Sequence, residues 1–212
     1  MEKSFKKMMS GYQAFRKKYA LGNKSIMRAL SKDGQKPKIM VVSCCDSRVD
    51  PALILQCDPG DLFVARNVAN LVPPYERDGA RHGTSAALEF GICVLKIDHL
   101  ILLGHSQCGG VSARMAHKTM KENDFISSWM SAVTTDPLPH MSLDDYAKES
   151  LRQSHKNALT FPWIKERVNA GTLVIHEWYF DIKSGKVFTF QKDQGAYVAL
   201  SEGPVAQKDS TL

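Results

Sequence analysis

Three short apolar runs constrain this chain more than any other feature of its sequence. Ile39-Met40-Val41-Val42, Leu62-Phe63-Val64-Ala65 and Leu100-Ile101-Leu102-Leu103 contain no charge and read as buried strands. Turn signals precede the first two, Lys32-Asp33-Gly34 and Asp58-Pro59-Gly60-Asp61, and Gly104 stops the third. Between the second and third runs, Thr84 can cap a helix that passes through Ala86, Leu88, Phe90 and Cys93 to about Leu95. Strand, helix and strand at these lengths predict an α/β fold around a central, mainly parallel β-sheet flanked by helices.

The remaining sequence fits around that sheet. Phe5, Met8, Met9, Tyr12, Phe15 and Tyr19 recur at helical spacing opposite a face rich in Lys and Arg. They predict an amphipathic N-terminal arm (residues 1–30) whose apolar side needs a surface to cover. Ser142 followed by Asp145 gives a capping pattern for a helix carrying Ala147, Leu151, His155 and Ala158 on one face, and Pro162 opens another short helix. The β-rich run 173–180, the turn Lys183-Ser184-Gly185-Lys186 and the returning Val187-Phe188-Thr189-Phe190 predict a C-terminal β-hairpin. From Ser201 the tail is polar and is expected to be mobile. With 212 residues, 43% hydrophobic and 24% charged, the chain is expected to form a single domain over 1–212.

No run approaches the ~18 apolar residues of a membrane span, and residues 1–20 lack the apolar centre of a secretory signal. The expectation is a cytoplasmic protein with no membrane partner. Charge is uneven, with a net +9 over residues 1–40 and −3 over the rest. No nucleic-acid module accompanies the basic arm, so it reads as a solvated helix face rather than a nucleic-acid site.

Five cysteines (Cys44, Cys45, Cys57, Cys93, Cys108) argue against a disulfide framework and for metal or thiol chemistry. Cys57 and Cys93 have no partner motif and read as small apolar packers. Two other segments combine ligand-type residues with a position just beyond a strand: Ser43-Cys44-Cys45-Asp46-Ser47-Arg48 and Gly104-His105-Ser106-Gln107-Cys108-Gly109-Gly110. Ligands of open parallel sheets bind beyond the carboxyl ends of the strands. Neighbouring strands would therefore bring one of Cys44 and Cys45 together with His105 and Cys108. Two thiolates and an imidazole suit zinc and leave its fourth position open. Side chains alternate along an extended backbone, so only one of the adjacent cysteines can face the metal, and spacing alone does not choose. The glycines do not form a phosphate loop, because Gly110-Val111 stands where Lys and Ser or Thr are needed. Of the other histidines, His99, His117, His140, His155 and His176 read as surface or satisfied core residues, and His82 as at most a proton relay near the pocket loop.

The Cys44-x-Asp46-Ser47-Arg48 pattern with His105-x-x-Cys108 resembles the β-class carbonic anhydrases. The likeness extends from Gln35-Lys36-Pro37-Lys38 through Arg66-Asn67-Val68-Ala69-Asn70-Leu71-Val72-Pro73-Pro74 to Gly110. The resemblance implies one zinc ion per subunit held by Cys44, His105 and Cys108, with Cys45 in a slot usually occupied by serine. It implies that Arg48 holds Asp46 off the metal, that Gln35 donates a hydrogen bond to substrate, and that Phe63, Val68, Phe90 and Gly109 line a small pocket. Phe90 stands where plant-type relatives carry tyrosine. Val41 stands where a bicarbonate-inhibited branch has tryptophan, which implies the open form with water rather than Asp46 on zinc. The family's arm and pocket imply a homodimer or a higher homo-oligomer.

The implied reaction is reversible hydration of carbon dioxide to bicarbonate and a proton, with water acidified by zinc as the nucleophile. Two thiolates offset more of the metal charge than histidines do, so the rate is expected to rise into the alkaline range. Alternatives are hydrolysis of carbon disulfide or carbonyl sulfide on the same site, or a non-catalytic zinc-stabilised binding domain.

Overall fold

In the computed structural model, residues 2–116 and 125–200 are described. His117 and the tail from Ser201 lie outside them. The three apolar runs become β1 (Ile39–Cys44), β2 (Leu62–Asn67) and β3 (His99–His105), all parallel, with β1 between the other two. β4 (Val174–Asp181) adds a fourth parallel strand beside β3. β5 (Lys186–Gln191) and β6 (Ala196–Ala199) then run antiparallel, giving the order β2-β1-β3-β4-β5-β6. The predicted hairpin is therefore β4–β5. Asp181 tightens its turn by accepting from the Lys183 and Ser184 amides at 3.2 and 3.1 Å, and Gly185 adopts φ +68°. β6 carries no long apolar run and was not anticipated.

The helices are α1 (Glu2–Phe15), α2 (Ile26–Asp33), α3 (Pro51–Ile54), α4 (Gly83–Glu89), α5 (Gly109–Met115), α6 (Phe125–Met130), α7 (Leu143–Ala158) and α8 (Pro162–Asn169). A single π-type turn prolongs α1 to Ala20 and another prolongs α4 to Val94. Ser142 caps α7 as its sequence suggests, accepting from the Asp145 amide at 3.1 Å, and Pro162 occupies the first turn of α8. The expectation for Thr84 is corrected. The cap position is His82, and Thr84 lies inside α4 with its Oγ1 accepting from Asn67 Nδ2 at 3.1 Å. Cys93 is also exposed rather than packed.

β1 is central because it is apolar on both sides. Met40 and Val42 join Leu88, Ile92, Leu100, Leu102, Leu151 and Ile164 in the main core beneath the helices. Val41 faces the other way, with Ile101 and Leu103. The seam between α7 and the sheet also holds a buried polar cluster: Glu177 of β4 pairs with His155 of α7 and accepts from the Tyr197 hydroxyl at 3.3 Å. Burial and the neighbouring Glu177 carboxylate push the Tyr197 phenol well above its ordinary range. His155 is thus a satisfied core histidine, while His99 and His176 bond to each other at 3.1 Å.

By contrast, α1 buries nothing. Phe5, Met8, Met9, Tyr12 and Phe15 are all exposed, so its apolar stripe finds no surface among the described residues. No helix among the described residues is long and apolar enough to cross a membrane.

Close packing joins the far end of the sheet to α5. A Cβ built on Gly110 would lie 2.8 Å from Val68 Cγ1 and 3.0 Å from Ala69 Cβ, with little freedom for either to move. Replacing Gly110 by Ala should cost about 1–3 kcal/mol by overpacking. Chemical denaturation checks this, and an unchanged midpoint would show that the turn after β2 yields without cost.

Candidate metal centre

The chemistry-bearing residues sit where parallel strands end. Cys44 is the last residue of β1 and His105 the last of β3, and the two strands are hydrogen-bonded neighbours. Cys108 is the residue on which α5 begins. All three are buried, and their ligand atoms lie within 4.8 Å of one another, with the sulfurs 3.9 Å apart. Cys45 is exposed, and its amide donates to the Asn67 carbonyl at 2.9 Å. Alternation at the strand end thus selects Cys44.

His105 and Cys44 are held in the form a cation needs. The His105 Nδ1–H donates to the Ser106 carbonyl at 2.8 Å, which leaves Nε2 buried, free to accept and without a hydrogen-bond partner. The main-chain N–H groups of Asp46 and Ala69 favour the Cys44 thiolate, and those of Gly110 and Val111 favour negative charge at Cys108. The Cys108 thiol donates to Cys44, which favours the Cys44 thiolate and holds the proton on Cys108. A divalent cation held by both sulfurs would displace that proton. Two sulfurs and an imidazole nitrogen at these separations fit zinc, with three protein ligands and a fourth position free for water or substrate.

The Ala69 contact is bought with backbone strain. Ala69 is fully buried at φ +64° and Asn70 follows at φ +50°. Left-handed backbone is uncommon for alanine and costs of order 1–2 kcal/mol. The turn persists because Asn67 brackets it, accepting from the Leu71 amide and donating to the Leu71 carbonyl, both at 2.8 Å. The Trp129 indole also donates to the Val68 carbonyl at 2.7 Å.

Asp46 and Arg48 form a side-on pair next to the ligands. Arg48 Nε donates to Asp46 Oδ1 at 2.9 Å and Nη2 to Oδ2 at 2.7 Å, while the Arg48 amide adds a further bond to Oδ1 at 2.9 Å. These bonds hold the Asp46 carboxyl well below the usual carboxylate range. Arg48 also reaches the second loop, donating to the main-chain oxygen and to Oε1 of Gln107 at 3.2 and 3.4 Å.

Arg66, at the end of β2, fastens the first loop from behind. Its Nε donates to the Cys44 carbonyl at 2.9 Å, Nη2 to the Asp46 carbonyl at 2.8 Å and Nη1 to Asp50 Oδ2 at 2.9 Å. Asp50 in turn caps α3 through the Ala52 and Leu53 amides. Sequence reasoning assigned no role to Arg66, Asn67 or Ala69. The available signal was positional: they end the third strand of the same parallel set, at the same edge as Cys44 and His105.

The residues singled out from the sequence fall into two groups. Cys44, His105, Cys108, Asp46 and Arg48 come together, with Gly109 opening α5 beside them and Val68 packed over Gly110. Gln35, Phe63 and Phe90 do not join them within one chain. Phe63 pairs with Met40, whereas Cys44 pairs with Asn67, four residues or about 13 Å further along the strand. Phe90 stacks on Phe63, ring centroids 5.8 Å apart, and Gln35 precedes the opposite end of β1. Phe90 and Gln35 are exposed, and Phe63 is half-buried on the edge strand. His82 bonds to Asp78 at 2.7 Å on the pocket loop.

Comparisons with known proteins agree with this geometry. A family model described as carbonic anhydrase matches residues 39–187. The chain is 33% identical to a carbonic anhydrase of Synechocystis sp. over 197 residues, covering 87% of this chain and 70% of that protein. It is 37% identical to the chloroplastic β carbonic anhydrase 5 of Arabidopsis thaliana over 180 residues, 79% of this chain, but spans only 58% of that longer protein. Among solved structures, the β-carbonic anhydrase CcaA superposes with a TM-score of 0.84 at 31% identity, over 93% of this chain and 100% of that one. A tetrameric β-carbonic anhydrase of Sordaria macrospora superposes with a TM-score of 0.70 at 28% identity, over 92% and 96% of the two chains. Matched over most of its length in sequence and in fold, this chain belongs to the β-carbonic anhydrases.

Proposed function

We propose that this chain interconverts carbon dioxide and bicarbonate on a zinc ion held by Cys44, His105 and Cys108. The observation that carries the reading is the three-ligand set with the Asp46–Arg48 pair beside it. A purely structural zinc site has four protein ligands, and here only three ligand-type residues converge among the described residues.

Carbon dioxide is small and apolar, so the site must supply a nucleophile and exclude competitors rather than grip the substrate. Zinc, when bound, supplies that nucleophile by acidifying water towards neutral pH. The protein groups do the rest. Asp46, kept ionised by Arg48, accepts a hydrogen bond from the attacking water and turns its lone pair towards the carbon. Arg48 neutralises and orients Asp46. Three neutral histidines bring such water to a pKa of about 7. Two thiolates donate more charge to the metal, so the attacking form should dominate only at higher pH.

The oligomer belongs to the same reading. Phe63 near the start of β2, Gln35 before β1 and Phe90 stacked on Phe63 all lie at the end of the sheet away from the cluster of the same chain, and among the described residues the apolar stripe of α1 is not covered. Both features are accounted for by a homodimer in which one protomer's Gln35, Phe63 and Phe90 complete the pocket beside the other's Val68 and Gly109, while α1 packs across the partner.

Stopped-flow hydration of carbon dioxide by zinc-loaded protein should show a rate rising between about pH 6.5 and 9. A flat profile over that range would count against the proposed nucleophile. Chelation should abolish turnover and zinc should restore it. Replacing Asp46 by Asn should lower kcat by about a hundredfold or more, while zinc content measured by atomic absorption stays near one per chain. No turnover at any pH with zinc bound would turn attention to carbon disulfide and carbonyl sulfide as substrates. Removing residues 1–20 should dissociate the oligomer or render it insoluble in sedimentation experiments. A stable, fully active truncated monomer would refute the shared pocket.

A further inference from the structure

The side-on pair with Asp46 uses only one edge of the Arg48 guanidinium. The Asp46 side chain is 17% exposed, but nearly half of the Arg48 side chain, 45%, is open to solvent, where charge alone does little to hold a long side chain in place. Asp46, meanwhile, is an ionised carboxylate near His105, close to a position where a cation with three protein ligands accepts one more oxygen. Released from Arg48, it is the nearest competitor for that fourth position. The other edge of the guanidinium is open to further partners.

Gln107 occupies that edge. It lies between His105 and Cys108 and occupies the left-handed region at φ +56°, which is uncommon for a residue with a long side chain. The donors of Arg48 divide between two partners. Nε and one Nη2 hydrogen go to Asp46, and the remaining contacts, from Nη2 and Nη1, go to the main-chain oxygen and Oε1 of Gln107 at 3.2 and 3.4 Å. The Gln107 amide donates to Asp144 Oδ1 at 3.4 Å, which ties the loop to the first turn of α7. Arg48 is therefore bound along one edge by the loop that carries Cys44 and along the other by the loop that carries His105 and Cys108.

We propose that Gln107 is a positioning residue for this reaction: by holding the far edge of Arg48, it keeps Asp46 paired and away from the metal's fourth position. The inference rests on the zinc-dependent reading above and assigns Gln107 no contact with substrate.

The test compares zinc-loaded parent protein with Gln107→Met, which keeps the length and loses the side-chain acceptor, and Gln107→Glu, which keeps the acceptor and adds a charge that Arg48 favours. Gln107→Ala serves in place of Met should that variant fail to fold. Crystal structures near pH 7 supply a readout independent of turnover. In the parent and Gln107→Glu, Asp46 should stay paired with Arg48. In Gln107→Met, an Asp46 oxygen should stand about 2.0–2.2 Å from zinc. The rising limb of the hydration profile should move by about one pH unit to the alkaline side in Gln107→Met, because water must then displace a carboxylate, and Gln107→Glu should restore it. An intact Asp46–Arg48 pair in Gln107→Met, with the parent's pH profile, would overturn the role. A parent protein without turnover would refute the proposed reaction, yet the crystal structures would still decide whether Gln107 governs the pair.

Discussion

Everything at the metal centre depends on the parallel pairing of β1 with β3. Parallel strands end at the same edge of a sheet, so residues far apart in the chain meet only if both strands stop at the same level. Ser43 pairs with Leu103, which brings Cys44 level with Gly104 and within one residue of His105 at that edge. Cys108 follows after one tight turn. Because β1 is apolar on both faces, its position between β2 and β3 is the one that buries it fully, and the site inherits the rigidity of the core.

Two kinds of restraint then refine the centre. The first is made of main-chain groups: amides from the loops after β1, after β2 and at the start of α5 aim at the two sulfurs, and the carbonyl of Ser106 fixes the His105 tautomer. Such groups carry no signature in the sequence, yet they favour the Cys44 thiolate and leave the imidazole Nε2 bare. The second is made of arginines. Arg66 holds the backbone that carries Cys44 and Asp46, and Arg48 holds the Asp46 carboxylate itself. Gln107 joins the second system to the opposite loop. A carboxylate next to a cation site needs such restraint because attraction to the metal and usefulness to the reaction pull it in different directions.

The same economy explains why a single chain looks unfinished. Edge strand β2 carries Phe63 beside the exposed Phe90, and α1 carries five large apolar side chains into solvent. A protein of this size rarely leaves so much apolar surface on one side without covering it. A second copy, in the proposed dimer, would cover both features in one contact.

The sheet and its ligands were legible because they depend on short-range pattern. Uncharged apolar runs specify β1, β2 and β3, and Cys44, His105 and Cys108 announce themselves by residue type at a strand end. Short or weakly patterned elements were not legible: β6 has only four residues, α3 barely more than one turn, and the start of α4 was misplaced because Thr84 spends its hydroxyl on Asn67. The sequence by itself determined the chemistry available, two thiols, an imidazole and a carboxylate–guanidinium pair on a parallel sheet. Only the tertiary structure decided which of Cys44 and Cys45 faces inward, that Arg66 and Gln107 hold the machinery, and that Gln35, Phe63 and Phe90 stand apart from it. Those outcomes follow from strand register and from hydrogen bonds between segments distant in sequence, and neither is encoded in the local order of residues.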